Sequence, residues 1–491
     1  FCEMVAYWNR LCYNRSIREL LPANSFEMGE FELKPIRFSL DGRRDSVILK
    51  NPALIIVSSF AILILVGALL LMLPVFNRQG VVTPFVDALF TATSATCVTG
   101  LIVYDTYTYF NIGGQSVIIC LIQLGGLGLV TLTSFFYFVI GKKVSLRTAQ
   151  LAQESVSADD RVNTSHLLKT VMAVTFLTEL IGALLLMPVF IPEFGAYGLF
   201  MSFFFAISAY CNAGFDLLGM NGEYSSLISI QDNPWVLLVL GGLIVAGGLG
   251  FIVWQDLWNF RRRRHLNLHS KIVLAATAAL ILFGFVLFLV FEWNNPNTIG
   301  ELSVPNKMVN ALFQSITTRT AGFDSIGNGD MTVVSKFLGI LLMFIGAAPG
   351  STGGGVKVTT VVVLVMTVLS VMRGRTDTII RRRRVDKMVV YKALSVVALG
   401  ALLVILSTGV VLATESSNSE IDALFESVSA FATVGLSVGI SPQAHVLSKL
   451  VLIFTMFLGR VGPVSFALSI TMAAGSRTSR QVMPEAKIWV G

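Results

Sequence analysis

Cys97-Val98-Thr99-Gly100-Leu101 is the first of four short stretches, each ending in a glycine and an apolar residue, that decide how this chain folds. Successive glycines of these stretches are 114, 108 and 113 residues apart. A fixed period of that length indicates one structural unit used four times. The other three stretches are Cys211-Asn212-Ala213-Gly214-Phe215, Arg319-Thr320-Ala321-Gly322-Phe323 and Ala432-Thr433-Val434-Gly435-Leu436.

The composition places these units in a lipid bilayer. Hydrophobic residues make up 54% of the 491-residue chain and charged residues only 13%, about half the share of charge in a soluble domain. Apolar runs near or above the roughly 20 residues that cross a bilayer recur along the chain, two in each unit. The eight predicted spans are Pro52–Phe76, Ser116–Ile140, Val171–Ile191, Trp235–Trp254, Ile272–Phe291, Phe337–Phe344 continuing after a break to Met372, Met388–Thr414 and Val446–Ala474.

Basic residues follow every even-numbered span and precede the first. Because loops on the cytoplasmic side are enriched in Lys and Arg, this pattern predicts a multi-pass protein of the cell (plasma) membrane with both termini in the cytoplasm. The topology accounts for the net charge of +7, so we favour it over nucleic-acid binding as the reason for the arginine runs. The basic residues are Lys34, Arg37, Arg43, Arg44, Lys50, Lys142, Lys143, Arg147, Arg161, Arg261–Arg264, Arg373, Arg375, Arg381–Arg384, Arg477, Arg480 and Lys487.

Each unit reads as a span, a short helix, a glycine-ended loop and a second span. Asp87, Asn310 and Asp422 open the short helix in three units, where we expect them to cap it and to complement its dipole. The sequence predicts an all-α polytopic membrane protein with four pseudo-fourfold span–pore helix–span repeats around one central pore. The predicted segments are 1–50 (cytoplasmic N-terminal segment), 51–145, 146–264 and 265–384 (repeats one to three) and 385–491 (repeat four with a cytoplasmic C-terminal tail).

The four loops indicate a path for ions. Non-helical backbone at membrane depth must be enclosed by protein or line a water-filled route, and glycine permits the backbone angles that aim carbonyl groups at an axis. Rings of carbonyl oxygens are how cation filters are built. The alternative is that these small residues only allow close packing of helices, as they often do in membranes. Because four loops match in register, we favour the ion path.

The second span of each unit is interrupted by glycines. Gly125-Gly126-Leu127-Gly128 and Gly247-Gly248-Leu249-Gly250 correspond to Gly459-Arg460-Val461-Gly462. The third unit carries a longer glycine-rich insertion that cannot remain helical, and we expect it to unwind into a gate below the loops. Arg460 replaces a glycine within an apolar span, where a charge is expensive and usually functional; a structural arginine bonded to helix-end carbonyls is the alternative. The insertion consists of Gly346, Ala347, Ala348, Pro349, Gly350, Ser351, Thr352, Gly353, Gly354 and Gly355.

Over residues 51–491 these motifs resemble the Trk/Ktr/HKT superfamily of potassium transporters, and most closely the membrane subunit of its Ktr branch, KtrB. The resemblance implies a K⁺ selectivity filter, a gate at Gly346–Gly355 and Arg460 facing that gate. The transported ion, K⁺, is the implied metal at the filter, and Na⁺ stimulates many family members. The implied filter residues are Val98, Thr99, Gly100, Asn212, Ala213, Gly214, Thr320, Ala321, Gly322, Thr433, Val434 and Gly435.

The resemblance also implies an assembly. It predicts a homodimer in the lipid bilayer, with one pore in each protomer, seated on a cytosolic octameric ring of a KtrA-like regulatory partner. ATP or ADP would bind to that partner rather than to this chain, and no covalently bound cofactor is implied.

Two other functions are weaker alternatives. An alternating-access secondary cation transporter would show inverted repeats and carboxylates at a midplane site, whereas these units keep one orientation and Glu179 is the main intramembrane acid. An intramembrane enzyme would need a nucleophile and a base, and the four histidines lie at span edges or in loops. Asp216 and Asp324, two residues past their glycines, are expected to concentrate cations at the outer mouth or to be ordinary loop carboxylates.

Overall fold

The computed structural model describes residues 52–128, 164–415 and 419–462, all of which lie in one compact unit, Ser46–Gly491. The regular secondary structure of the described part is helical except for one two-stranded hairpin. In chain order its helices and strands are α1 (Pro52–Leu71), α2 (Phe85–Cys97), α3 (Thr106–Tyr109), α4 (Ile112–Leu127), α5 (Thr164–Cys211), α6 (Pro234–Gly248), α7 (Phe251–Arg263), α8 (Leu268–Glu292), α9 (Val304–Thr317), α10 (Val333–Phe344), α11 (Val358–Met372), β1 (Ile379–Ile380), β2 (Arg383–Arg384), α12 (Lys387–Thr414), α13 (Glu420–Ala432), α14 (Ile440–Gln443) and α15 (Val446–Val461).

Long apolar helices confirm an all-α membrane protein. Among the described residues, α1, α5, α8 and α12 are long and apolar enough to cross a bilayer, and α6 with α7 counts as a fifth span if the pair, bent by 95°, is taken together. The 20 residues of α1 extend over about 30 Å, the thickness of the hydrocarbon core. The predicted second and eighth spans continue into residues 129–140 and 463–474, which lie outside the described part of the chain.

Short helices precede all four glycine loops, but their first turns differ from the expectation. Helix α2 begins at Phe85 after Pro84, so Asp87 is its third residue and does not cap it. Ser419 caps α13 by accepting a hydrogen bond from the Asp422 amide. Asn310 lies in the middle of α9, which begins at Val304. The capping prediction is therefore wrong, because each of these helices begins upstream of the polar residue.

The short helix of the second unit follows the preceding span without an intervening loop. Helix α5 contains a break at Gly195, whose φ of 59° and ψ of −135° are not helical. A side chain at positive φ is strained, which explains a glycine at this turn. The residues after Gly195 correspond to the separate short helices α2, α9 and α13.

Each short helix is tied to the second span of the preceding unit. Lys449 on α15 pairs with Asp87 on α2, and Lys336 on α10 pairs with Asp422 on α13; both N–O distances are 2.7 Å. Hydrogen bonds make the other two contacts between neighbouring units. The Tyr197 hydroxyl donates to Gln115 Oε1 at 2.8 Å, and the Asn306 amide Nδ2 donates to the carboxylate oxygen Oδ1 of Asp232 at 3.0 Å. The last unit thus contacts the first, and the four units close into a ring.

Candidate functional site

The four glycine loops share one backbone conformation. The residue two positions before each glycine is left-handed, and the glycine itself also has positive φ. Only glycine adopts such angles without steric penalty, and non-glycine residues there indicate strain that the surroundings enforce. The φ angles are 59° at Val98, 61° at Asn212, 73° at Thr320 and 52° at Thr433, and 100° at Gly100, 71° at Gly214, 83° at Gly322 and 96° at Gly435.

The short helices hold the loops by their amides. In each loop the residue before the glycine donates its N–H to a carbonyl oxygen four or five residues back on the helix, so this amide is turned toward the helix. Hydroxyl groups add support, since Ser94 Oγ and Ser429 Oγ accept the Gly100 and Gly435 amides at 3.0 and 3.1 Å. The amide bonds are Thr99 to Ser94 (2.8 Å), Ala213 to Ser208 (2.7 Å), Ala321 to Thr317 (3.0 Å) and Val434 to Ser429 (2.9 Å).

The glycines of the four loops meet in a cycle. A Cβ placed on Gly100 would lie 2.6 Å from the carbonyl oxygen of Ala213, and one on Gly214 would lie 2.7 Å from that of Ala321. These separations are too short for any side chain, so the loops touch through bare backbone. The same relation continues from Gly322 to the Val434 carbonyl oxygen and from Gly435 to the Thr99 carbonyl oxygen.

In three units, the first glycine of the interruption in the second span packs behind the loop. A Cβ on Gly125, Gly247 or Gly459 would overlap a carbonyl oxygen near the end of the short helix of its own unit, namely that of Thr96, Tyr210 or Phe431. The helices then end or bend at Gly128, Gly250 and Gly462, whose φ angles are 78°, 87° and 91°. Gly346 of the third unit lies instead against the Gly354 carbonyl oxygen.

The 346–355 segment leaves the helix and folds beneath two of the loops. Helix α10 ends at Phe344 and α11 begins only at Val358, while the Gly346 amide donates to the Val356 carbonyl oxygen at 2.8 Å and closes the ends of the segment. Gly353 lies against the Thr320 side chain and Gly354 against that of Thr433. The segment therefore contacts the residues that precede the loop glycines.

Arg460 joins this segment to the first unit. Its Nη1 donates to the Thr352 carbonyl oxygen, and its Nη2 donates to the carbonyl oxygens of Gly125 and Gly126, the latter at 3.3 Å. The predicted neighbourhood of Arg460 and the insertion is thus present in the structure. Because the planar guanidinium presents several donors in a fixed geometry, one side chain holds two separate backbone segments.

A second cation, Lys357, was missed at the sequence level. Its ammonium group donates to the Gly353 carbonyl oxygen at 2.5 Å and to that of Gly354 at 3.2 Å. Lys357 and Arg460 therefore both bind carbonyl oxygens of the insertion. The only sequence signal was a lysine at the end of a glycine-rich stretch.

A cavity of about 260 Å³ opens beside the glycines, on the side of the residues that follow them. All four glycines line it, together with Asp216 and Asp324. Burial, and then the charge of Asp105, raise the pKa of Asp216 to about 7. Burial raises the pKa of Asp324 well above its usual range, and the charges of Asp216 and Glu426 add to this. Two carboxyl groups whose negative forms repel each other thus face one cavity with the glycines.

Other ionisable residues bind the backbone and the side chains around the loops. Glu426 on α13 accepts hydrogen bonds from the Val438 amide at 3.2 Å and from the Ser437 hydroxyl at 2.9 Å, which fixes the backbone after Gly435. Lys336 and Lys449 each lie 14 residues past their loop glycine, and this shared spacing was a usable signal for their matching ion pairs. Glu179 is buried; it accepts a hydrogen bond from Gln123 at 3.0 Å and one from the Cys211 thiol, at the start of the second loop stretch, at 4.0 Å.

Comparison with known proteins agrees with this architecture. Residues 36–480 match the TrkH family, described as a cation transport protein. The chain is 38% identical to the potassium/sodium uptake protein NtpJ of Enterococcus hirae, over 90% of this chain and 97% of that protein. It is 37% identical to the Ktr system potassium uptake protein B of Bacillus subtilis, again over 90% and 97%. The crystal structure of the potassium transporter TrkH from Vibrio parahaemolyticus has the same fold, with a TM-score of 0.66 at 19% identity, over 87% of this chain and 86% of that one.

Proposed function

The chain belongs to the TrkH family of cation transport proteins, and we propose that it is the ion-translocating membrane subunit of a potassium uptake system. In this proposal K⁺ passes through the centre of the four-unit ring. The family is one of transporters rather than of enzymes.

The cyclic contact of the four glycine loops carries the proposal. Each loop places a carbonyl oxygen against the glycine of the preceding loop in the ring; these oxygens belong to Ala213, Ala321, Val434 and Thr99. Because the amides of the same residues are bonded to the short helices, carbonyl oxygens are the polar groups left to face the centre. Such oxygens replace the hydration shell of a potassium ion. The twelve residues of the four loops therefore form the proposed selectivity filter.

Electrostatics support cation movement through this filter. The C-terminal ends of four short helices precede the loops, and these ends carry partial negative charge. Asp216 and Asp324 add carboxyl groups in the adjoining cavity. An inside-negative membrane potential supplies about 2.3 kcal/mol per unit charge for each 100 mV, so uptake needs no hydrolysis within this chain.

The 346–355 segment is the proposed gate. It contacts Thr320 and Thr433, which precede the filter glycines, and Arg460 anchors it to the first unit. An ion leaving the filter toward the cytoplasm must pass this segment. Breaking the anchor should therefore favour conduction.

We extend the proposal to the assembly that the Ktr-type relatives imply. The chain forms a homodimer in the cell membrane with both termini in the cytoplasm, and it is regulated by a cytosolic octameric ring that binds ATP or ADP. Sodium acts as a stimulating ion. The name of the Bacillus subtilis relative, a Ktr system protein, supports a multi-component system.

Rubidium uptake tests the transport function. The chain, expressed with a Ktr-type regulatory subunit in cells that lack their own potassium uptake systems, should restore growth at low potassium and take up rubidium. Dissipating the membrane potential should stop this uptake. Failure to restore growth despite normal membrane insertion, or uptake that persists without a potential, would contradict the proposal.

A further inference from the structure

A second, larger cavity lies away from the proposed ion path. Its volume is about 530 Å³, within the range of roughly 300–1,000 Å³ typical of small-molecule sites. It is an open cavity lined by the starts of α8, α11 and α12, by the hairpin β1–β2, and by Pro349 of the 346–355 segment. The filter residues do not line it.

The cavity walls are apolar along most of their extent. Ile272 on α8, Val363 on α11 and Val396 on α12 line it, as does Ile380 of the hairpin. Ile380 is buried there. An occupant of this cavity must therefore present an apolar surface to these side chains.

The rim of the cavity is basic. Arg383, Arg384 and Lys392 line it and are exposed. Among the ion pairs of the described residues, only Arg384 of these three takes part, with Asp377 at 3.2 Å. Arg383 and Lys392 thus lie over an apolar cavity without a carboxylate partner in the described part of the chain.

The hairpin fixes Arg383 beside the apolar wall. Ile380 pairs directly with Arg383, and the two residues between them, Arg381 and Arg382, have positive φ of 45° and 66°. This is the turn geometry that normally favours Asn and Gly. Arginine at both positions strains the backbone, and backbone strain of this kind is concentrated at functional sites.

We propose that this cavity binds an anionic phospholipid of the membrane. The acyl chain would cover the apolar wall, and the phosphate would lie between Arg383 and Lys392. Basic pockets between membrane helices on the cytoplasmic side bind anionic headgroups, whereas a free phosphate would leave the apolar wall uncovered. Because Pro349 lines the cavity, the lipid would also touch the proposed gate; only this last point rests on the proposed function.

Lipid binding by the purified full-length protein tests the site. Phosphatidylglycerol, titrated in detergent and followed by native mass spectrometry, should bind to the wild type more tightly than phosphatidylcholine. The double variant R383Q/K392Q should lose affinity for phosphatidylglycerol by roughly tenfold or more. The control R373Q/R375Q changes the same charge at exposed positions that do not line the cavity, and it should bind as the wild type does.

Equal affinity in all three proteins would overturn the proposal, as would equal binding of both lipids. Binding of inorganic phosphate with the affinity of the lipid would overturn it as well. A photoactivatable residue at Val389, which lines the cavity, should crosslink to phosphatidylglycerol; a crosslink to residues 463–491 or to a second copy of the chain would assign the cavity to that occupant instead. None of these measurements uses ion flux, so their failure would leave the proposed transport function untouched.

Discussion

Gly435 lies where no side chain fits. Its φ is 96°, and a Cβ there would meet the Thr99 carbonyl oxygen and come within 2.8 Å of the Gly100 Cα. Serine at this position must push the first and fourth loops apart. A ring of coordinating oxygens depends on the separation of its members, so the effect should appear in ion discrimination.

Gly435→Ser is expected to raise the potassium concentration for half-maximal uptake about tenfold, which corresponds to about 1.4 kcal/mol, and to lower the preference for K⁺ over Na⁺. Gly439→Ser is the matched control, because Gly439 has a φ of 97° and open space at its Cβ. Ion-competition uptake assays measure both variants. Unchanged affinity and selectivity in Gly435→Ser would refute the filter assignment.

The carboxyl groups of Asp216 and Asp324 predict a pH dependence. Both pKa values are raised, that of Asp216 to about 7, so Asp216 is negative above that pH and becomes neutral as the pH falls through it. Asp324 likewise takes up its proton at a higher pH than an ordinary carboxyl group does. Asp105 and Glu426 are the charges that face them. The rubidium concentration that gives half-maximal uptake should therefore rise as the external pH is lowered from 8 to 6.

The double variant D216N/D324N should lose this pH dependence while keeping the loop geometry, because the side-chain oxygen of an asparagine can still accept the Leu218 amide that Asp216 accepts at 3.1 Å. The rubidium concentration for half-maximal uptake by this variant should equal, at every pH, the value that the wild type shows at low pH. The same pH profile in the variant and the wild type would assign the titration to other groups.

At the scale of elements, the 346–355 segment is held by two side chains that bind its carbonyl oxygens. Arg460 reaches Thr352 and the first unit, and Lys357 reaches Gly353 and Gly354. These bonds belong to the position in which the segment lies under the loops. Interactions made in only one of two states shift the equilibrium toward that state.

Arg460→Ala should raise potassium flux. The expected increase is about tenfold for each 1.4 kcal/mol by which the substitution destabilises the closed position of the segment, in which it lies under the loops. Arg460→Lys keeps the charge but cannot bridge two backbone segments, so it should also raise flux. Flux measured per inserted protein in proteoliposomes compares the three forms. Normal flux in the lysine variant would show that charge, rather than the bridge, controls passage; lower flux in both would contradict the gate.

Local patterns in the sequence located the loops and the interrupted spans, because a glycine with positive φ, such as Gly100, and a glycine run in an apolar helix are both encoded locally. The predicted helix caps were wrong because each helix begins upstream of the polar residue, as at α13, which Ser419 caps; the roles that the two aspartates have instead are not encoded locally. Asp87 and Asp422 are occupied by lysines from another unit, and such a partner depends on how the units are arranged around the ring. The contacts of Arg460 with Gly125 and Gly126 likewise join residues more than 300 positions apart, which periodicity does not specify.

At the scale of the whole molecule, the ion pair between Lys449 and Asp87 closes the ring between the last and first units. The two side chains are 12% exposed each. Removing one member of such a buried pair leaves the other charge without a partner and destabilises a protein by about 3 kcal/mol. The pair between Lys336 and Asp422 plays the same part at the junction of the third and fourth units, so loss of the closing pair leaves only one such ion pair in the ring among the described residues.

Lys449→Met is expected to lower the midpoint of thermal unfolding of the purified protein, and the double variant D87L/K449M should recover part of that loss because no unpaired charge remains. Thermal unfolding in detergent, followed by intrinsic fluorescence, measures both. Equal stability of wild type and Lys449→Met would indicate that the ion pair does not hold the ring together.

The axis of the four glycine loops is the proposed ion path. Anomalous scattering from crystals grown in rubidium tests this most directly, because it reports the ion position independently of flux. We expect a rubidium peak on the axis, surrounded by the carbonyl oxygens of the loops that contain Gly100, Gly214, Gly322 and Gly435. An empty axis at saturating rubidium, with ordered ions elsewhere within the membrane region, would contradict it.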